Sequence, residues 1–257
     1  MQFTDHIGHV IELPKAPTRI ISLVPSQTEL LFSLGLDHEV VGLTKFCIHP
    51  EEKWRSVTRV GGTKNVNHQR IAELAPDLII ANKEENTKED ILHLQDQYPV
   101  WTSDIENLED AFHMIRDVGE LVGKAQEAST IADDIAASLQ SIKGRCRGKV
   151  AYLIWENPKM LAGPKTFIHE MLNFCGWENA VDQERYPELT IEQLQDLQPD
   201  LIMLSSEPYP FKQKHLDEFM QLFPNSTVSL VDGEMFSWYG SRMMLTADYI
   251  RKEFLVD

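Results

Sequence analysis

The sequence predicts an α/β protein built of two similar αβα lobes with mainly parallel sheets, bridged by one long α-helix, with a ligand cleft between the lobes. Three observations predict it. The segment IAELAPDLIIANKEEN (71–86) is echoed by LQDLQPDLIMLSSEP (194–208), two spellings of a helix end, a proline and an apolar strand. RIISLVPS (19–26) is matched by KVAYLIWE (149–156) as an entering strand, and the helices that follow close alike, on Leu34-Gly35-Leu36 and Cys175-Gly176-Trp177. Between the two sets lies a long amphipathic stretch from Asn107 to Lys143.

Each element follows from its residues. In both echoed segments a helical turn (Ile71, Leu74; Leu194, Leu197) meets a proline that cannot continue the helix. The runs Leu78–Ala81 and Leu201–Leu204 are continuously apolar rather than alternating, as parallel strands covered on both faces require. The glycines Gly35 and Gly176 suit helix C-termini. In the central stretch, apolar residues at Leu108, Ala111, Phe112, Ile115, Val118 and Val122, then at Ala125, Ala128, Ala132, Ile135, Leu139 and Ile142, step by three and four along one helical face. Gly123 divides it into a first helix and a second from about Lys124 to Lys143, the latter linking the lobes. The expected domains are 1–123, a linking helix over 124–144, and 145–257. A helical link permits only small tilts, which predicts a preformed cleft. The N-terminus reads as a small hairpin with Gly8 near its turn.

Composition narrows the function classes. The chain has 257 residues, 40 acidic against 24 basic, for a formal net charge of −16, which argues against nucleic-acid or anionic-membrane partners. Its three cysteines, Cys47, Cys146 and Cys175, are too scattered for a disulfide framework or a CxxC site. No stretch has the length of a membrane span, and the start lacks the basic and apolar regions of a secretory signal. The protein is therefore expected to be cytoplasmic if Met1 is the native start, and periplasmic or lipid-anchored if a signal has been removed.

Catalytic motifs are missing. There is no GxGxxG, the GGTK at 61–64 lacks the first part of a phosphate loop, and no GxSxG occurs. His38-Glu39 and His169-Glu170 begin HExxH-like strings, but Gly42 and Asn173 stand where the second histidine belongs. No metal site and no covalently bound cofactor are expected. What remains is a set of aromatic and polar residues at predicted strand ends: Phe46, His49, Thr63, Lys64 and Glu84 in the N-terminal half; Trp155, Tyr186, Glu207, Tyr209, Trp238, Tyr239 and Arg242 in the C-terminal half. Aromatic faces with a few fixed polar groups are how clefts hold large or flat ligands.

These segments, RIISLVPSQTELLFSLGL, RVGGTKN, RIAELAPDLIIA, FIHEMLNFCGWENAV, TIEQLQDLQPDLIML and FSWYGSR, resemble the helical-backbone (class III) substrate-binding proteins of ABC importers, which include receptors for cobalamin, siderophores and haem. The resemblance covers nearly the whole chain. It implies a monomeric binding protein, not an enzyme, whose partner is an ABC permease and whose ligand is a metal chelate: a corrinoid, a ferric siderophore or haem. By resemblance to the cobalamin receptors, Phe46, Tyr186 and Trp238 surround the ligand, while Thr63 and Asn82 replace two tryptophans of those receptors. By resemblance to siderophore receptors, Arg242, Tyr239 and Lys64 are candidates for polar contacts. Glu192 matches a permease-docking carboxylate, and the corresponding N-lobe position holds Gln69. Two alternatives stand beside this: a cytoplasmic corrinoid- or metal-complex-binding protein without a permease, and a tetrapyrrole- or metal-handling enzyme using His49, His169 and Glu207.

Overall fold

A computed structural model describes residues 1–255; the last two residues of the expected C-terminal lobe, 256 and 257, lie outside the described residues. The described chain divides into two compact units, one of residues 1–104, 110–135 and 239–242, the other of residues 105–109, 136–238 and 243–255.

The first unit opens on a hairpin, β1 (Gln2–Thr4) and β2 (Val10–Glu12), paired antiparallel with Gly8 at positive φ in the turn. Its main elements follow as β3 (Ile20–Ser22), α1 (Pro25–Ser33), β4 (Val40–Leu43), α2 (Glu51–Ser56), β5 (Thr58–Arg59), β6 (Gly61–Gly62), β7 (Asn65–Val66), α3 (His68–Leu74), β8 (Leu78–Asn82), α4 (Lys88–Gln95) and β9 (Val100–Ser103). Five strands form an all-parallel sheet in the order β5-β4-β3-β8-β9. β3, β8 and β9 are buried at every residue, with the polar ends of β8 and β9, Asn82 and Ser103, hydrogen-bonded to each other.

Two helices come next, α5 (Leu108–Leu121) and α6 (Ala125–Gln140). Gly123, at φ 72, separates them, and Lys124 N–H reaches back to the Gly119 carbonyl at 2.7 Å, closing α5 in a left-handed cap. The division between the units falls within α6, after Ile135.

The second unit contains β10 (Lys149–Trp155), β11 (Met160–Leu161), α7 (Phe167–Cys175), β12 (Glu178–Asn179), α8 (Ile191–Asp196), β13 (Leu201–Ser205), α9 (Gln213–Leu222), β14 (Thr227–Val231), α10 (Glu234–Ser237) and α11 (Met243–Phe254). Its sheet runs β11-β10-β13-β14, with β12 also on β10; all pairings are parallel except β10 with β11. Its core gathers Leu153, Leu194, Ile202, Leu204 and Phe219, all fully buried.

The repeated words are the same parts of two sheets. β3 pairs β8 as β10 pairs β13, both parallel. Asp77 accepts hydrogen bonds from Thr18 N–H, the Thr18 hydroxyl and Arg19 N–H at 2.8–3.1 Å, and Asp200 accepts one from Lys149 N–H at 2.7 Å. Each aspartate therefore ties the start of its own strand to the start of the neighbouring one. Ahead of each proline the chain turns through a left-handed residue, Ala75 at φ 44 and Gln198 at φ 48. The closing glycines also correspond: Gly35 and Gly176 have φ 78 and 105, and Leu36 N–H to Leu31 O matches Trp177 N–H to Leu172 O.

Candidate ligand-binding site

Parallel strands present their C-terminal ends on one edge of a sheet, where open α/β sheets bind ligands. In the first unit, β4 runs into the loop that holds Phe46 and His49, Thr63 and Lys64 lie between β6 and β7, and Glu84 follows β8. Phe46 is 50% exposed, with Lys45 Nζ 4.9 Å from its ring centroid and Gly62 packed beneath its edge. Thr63 is buried, and its carbonyl accepts a hydrogen bond from Asn86 Nδ2 at 3.0 Å. Lys64 Nζ donates to the Glu84 carbonyl. Phe46, Thr63, Lys64 and Glu84 are thus linked through one loop cluster.

Asn82, fully buried at the end of β8, organises that cluster. Its Oδ1 accepts from the N–H groups of Glu84 and Glu85 at 2.8 and 3.0 Å, and its Nδ2 donates to Ser103 Oγ at 3.0 Å. The loop places Glu85 where burial pushes its carboxyl above the usual range, against the pull of Lys64 and with a further push from Glu84. Cys47 is buried between the hydroxyls of Thr28 and Thr44, each 3.1 Å from Sγ, and burial pushes its thiol up to about 11. It is a packed thiol, and among the described residues no group of three or more His, Cys, Asp or Glu could hold a metal ion.

In the same unit, the segment Tyr239–Arg242 carries an ion pair that the sequence gives no sign of. Arg242 meets the Glu29 carboxylate of α1 through two parallel hydrogen bonds of 2.7 and 2.8 Å, with both side chains largely buried. The guanidinium proposed for ligand contact is thus engaged by a carboxylate. Tyr239 beside it is buried.

The second unit concentrates its candidates at the ends of β10 and β13. Trp155, the last residue of β10, is 38% exposed and meets Tyr209 edge-to-face at 5.6 Å. Tyr209 also packs on Phe211 and His215. Its hydroxyl lies 3.1 Å from His215 Nε2, while His215 Nδ1 accepts a hydrogen bond from Lys212 N–H at 2.9 Å. An Nδ1 that accepts carries no proton, so Nε2 is the protonated nitrogen and donates to the Tyr209 oxygen. The phenolic proton is then left to point elsewhere.

Glu207, two residues before, holds the late loop. Its Oε1 accepts from the Ser237 hydroxyl at 2.6 Å and from Trp238 Nε1 at 2.8 Å, and its backbone carbonyl accepts from Ser205 Oγ, which in turn accepts from Tyr152. Tyr186 is half-buried, with the Arg185 guanidinium 5.6 Å from its ring centroid.

The two docking candidates occupy equivalent helix positions. Gln69 is the second residue of α3 after the cap Asn67, and Glu192 the second of α8 after the cap Thr190. Both are exposed. The Glu192 carboxyl is held below the usual range by its own backbone N–H and by the Thr190 hydroxyl, whereas Gln69 Nε2 donates to Glu73 at 3.0 Å. Sequence reasoning missed Glu29, Ser237 and His215; their partners lie far along the chain or in a loop whose path the local pattern does not encode.

The chain is similar to known proteins. The chain is 29% identical over 212 residues to an ABC transporter substrate-binding lipoprotein of Bacillus subtilis, a match spanning 77% of this chain and 67% of that one. It is 24% identical over 243 residues to the vitamin B12-binding protein of Pectobacterium carotovorum, spanning 91% and 87%. Among solved structures, the periplasmic vitamin B12 binding protein of Vibrio cholerae aligns with a TM-score of 0.79 at 21% identity, covering 93% of this chain and 97% of that one. A periplasmic haem-binding protein of Roseiflexus aligns with a TM-score of 0.79 at 20% identity, covering 89% and 94%. At such identities the structural likeness speaks to the fold. No helix among the described residues is long and apolar enough to cross a membrane. The sequence profile of the family described as periplasmic binding protein matches residues 20–222, from β3 to the end of α9, and the chain belongs to that family.

Proposed function

We propose that this protein is the substrate-binding component of an ABC-type importer, and that its cargo is a metal chelate of the corrinoid, haem or ferric-siderophore class. The observation that carries this is the group at the ends of β10 and β13, where a part-exposed Trp155 is braced by Tyr209, with a second indole, Trp238, largely buried and fixed by Glu207. Such faces stack on large, flat or partly apolar ligands, at about 1 kcal/mol per good aromatic contact beyond area burial. In the first unit the exposed ring of Phe46 offers an aromatic face at the end of β4 and Lys64 a donor; in the second the Tyr209 hydroxyl offers a donor to ligand oxygens. The relatives named for vitamin B12 and haem support the ligand class. Glu192 and Gln69 are the positions we propose to face the permease, with Glu192 the charged one.

The test is a titration of the purified protein with cyanocobalamin, cobinamide, hemin and a ferric hydroxamate, followed by tryptophan fluorescence against a free-tryptophan control. Saturable quenching by one of them at micromolar or lower concentration is expected, weakened by Trp155→Ala and Trp238→Ala. Flat titrations with all four, or quenching that neither substitution changes, would sink the proposal.

A further inference from the structure

Away from the strand-end site, the structure brings together two cysteines that the sequence spacing left apart. The end of α7 and the chain entering β10 run side by side. Cys146 N–H donates to the Cys175 carbonyl at 2.7 Å, and Gly144 N–H to the Phe174 carbonyl at 2.8 Å. At Gly176 a Cβ would lie 2.7 Å from the Cys146 carbonyl oxygen, so the two backbones touch with no side chain between them. With standard N–Cα, C=O and Cα–C bonds, one hydrogen bond of 2.7 Å keeps the two Cα atoms within about 6.5 Å of each other, under the limit of roughly 6.8 Å that disulfides span. Both residues are buried, Cys146 at 4% and Cys175 at 0% exposure. Burial pushes the Cys175 thiol up to about 12, with a further push from Cys146. Cys146 rises to about 11 through burial, against the pull of Arg147 and Arg145.

We propose that Cys146 and Cys175 form an intramolecular disulfide that fastens the end of α7 to the entry of β10. The oxidant is a small-molecule disulfide. The Cys146 thiolate, favoured by its flanking arginines, attacks one sulfur of the reagent and expels a thiolate, giving a mixed disulfide. Cys175, passing its proton to that thiolate, attacks the Cys146 sulfur and releases the second reagent thiolate, which takes the proton first lost by Cys146. Two electrons pass from the cysteines to the reagent, which leaves as two thiols. Because both sulfurs are shielded in the folded chain, the exchange belongs to folding, before the apolar surroundings close. Cys47, held between two threonine hydroxyls, stays a free thiol and serves as an internal control.

In the test, the full chain is unfolded, refolded in a mixture of oxidised and reduced glutathione, alkylated under denaturing conditions and mapped without reduction. The expected result is a Cys146–Cys175 linked peptide pair about 2 Da lighter than the reduced pair, an alkylated Cys47, and a thermal midpoint raised by several degrees over the reduced protein. Cys146→Ser and Cys175→Ser must each abolish both the link and the shift. A native sample held with oxidised glutathione a few degrees below its thermal midpoint, where transient unfolding exposes the sulfurs, is mapped in parallel, so that poor refolding does not decide the outcome. Alkylation of all three cysteines in both samples, or glutathione carried on Cys146 without a link, overturns the proposal.

Discussion

Among single residues, the strand-end side chains differ in what holds them, and this sets what each substitution does. Glu207 receives a hydroxyl and an indole N–H on one oxygen, so Glu207→Ala removes two charge-assisted bonds and frees the Trp238 ring. A loss of about 2–3 kcal/mol in urea unfolding is expected, with a red-shifted tryptophan emission; an unchanged emission maximum would mean the indole does not depend on Glu207. Tyr209→Phe keeps the ring contacts with Trp155, Phe211 and His215 but leaves the buried His215 Nε2–H without its acceptor. Stability should then fall by about 1–3 kcal/mol, while affinity for an oxygen-rich chelate falls about tenfold. That Trp155, Glu207 and Tyr209 stand at strand ends was legible in the sequence, because the ends of the apolar runs beside them are predictable. The pair of Arg242 with Glu29 was not, since nothing in a local pattern tells which carboxylate a guanidinium reaches across most of the chain.

Among elements, the corner that joins helix, proline and strand appears twice with unequal bonding. Asp77 accepts from three donors and Asp200 from one. Asp77→Ala should therefore cost about 1.5–3 kcal/mol and Asp200→Ala about half of that, read from urea midpoints; equal losses would show that the extra bonds to Thr18 carry no weight. Ala75 and Gln198 both occupy the left-handed region, where a Cβ costs roughly 1–2 kcal/mol and glycine nothing. Ala75→Gly and Gln198→Gly should each stabilise by about 0.5–1 kcal/mol after the added chain entropy is counted. The N-terminal hairpin is fastened differently, by His6, whose ring nitrogens lie 3.1 Å from the Asp117 carboxylate and 3.2 Å from the Asp104 carbonyl. Burial alone would lower its pKa, but these bonds outweigh it and raise the value above 6.5. The protonated form is the favoured one in the folded chain, so this contribution is full below pH 6.5 and is lost as pH rises through the raised value. His6→Gln should flatten that part of the pH–stability profile. The hairpin itself was legible from Gly8 and its flanking strands, but its anchor was not, because Asp117 lies in a helix more than a hundred positions away.

For the whole molecule, the double spelling of one strand-and-helix set made the two-sheet fold legible, since a parallel strand buried on both faces can be written in few ways. Charge was equally plain, and it carries a prediction of its own. Forty acidic against 24 basic residues give −16. Many of the ion pairs lie on the surface, such as Arg116 with Asp133 and Lys165 with Glu184, and such exposed pairs add little to stability. Salt weakens those pairs, but it also screens the repulsion among the excess carboxylates, whose summed field acts over a Debye length of about 10 Å at 0.1 M. The Arg242–Glu29 pair, largely buried, is screened least. Repulsion should dominate, so the thermal midpoint is expected to rise by a few degrees between about 10 and 150 mM sodium chloride at neutral pH. Below about pH 5, where carboxylates take up protons, the net charge shrinks and the same salt step should do little. A midpoint that falls with salt at neutral pH would mean that the ion pairs outweigh the excess negative charge.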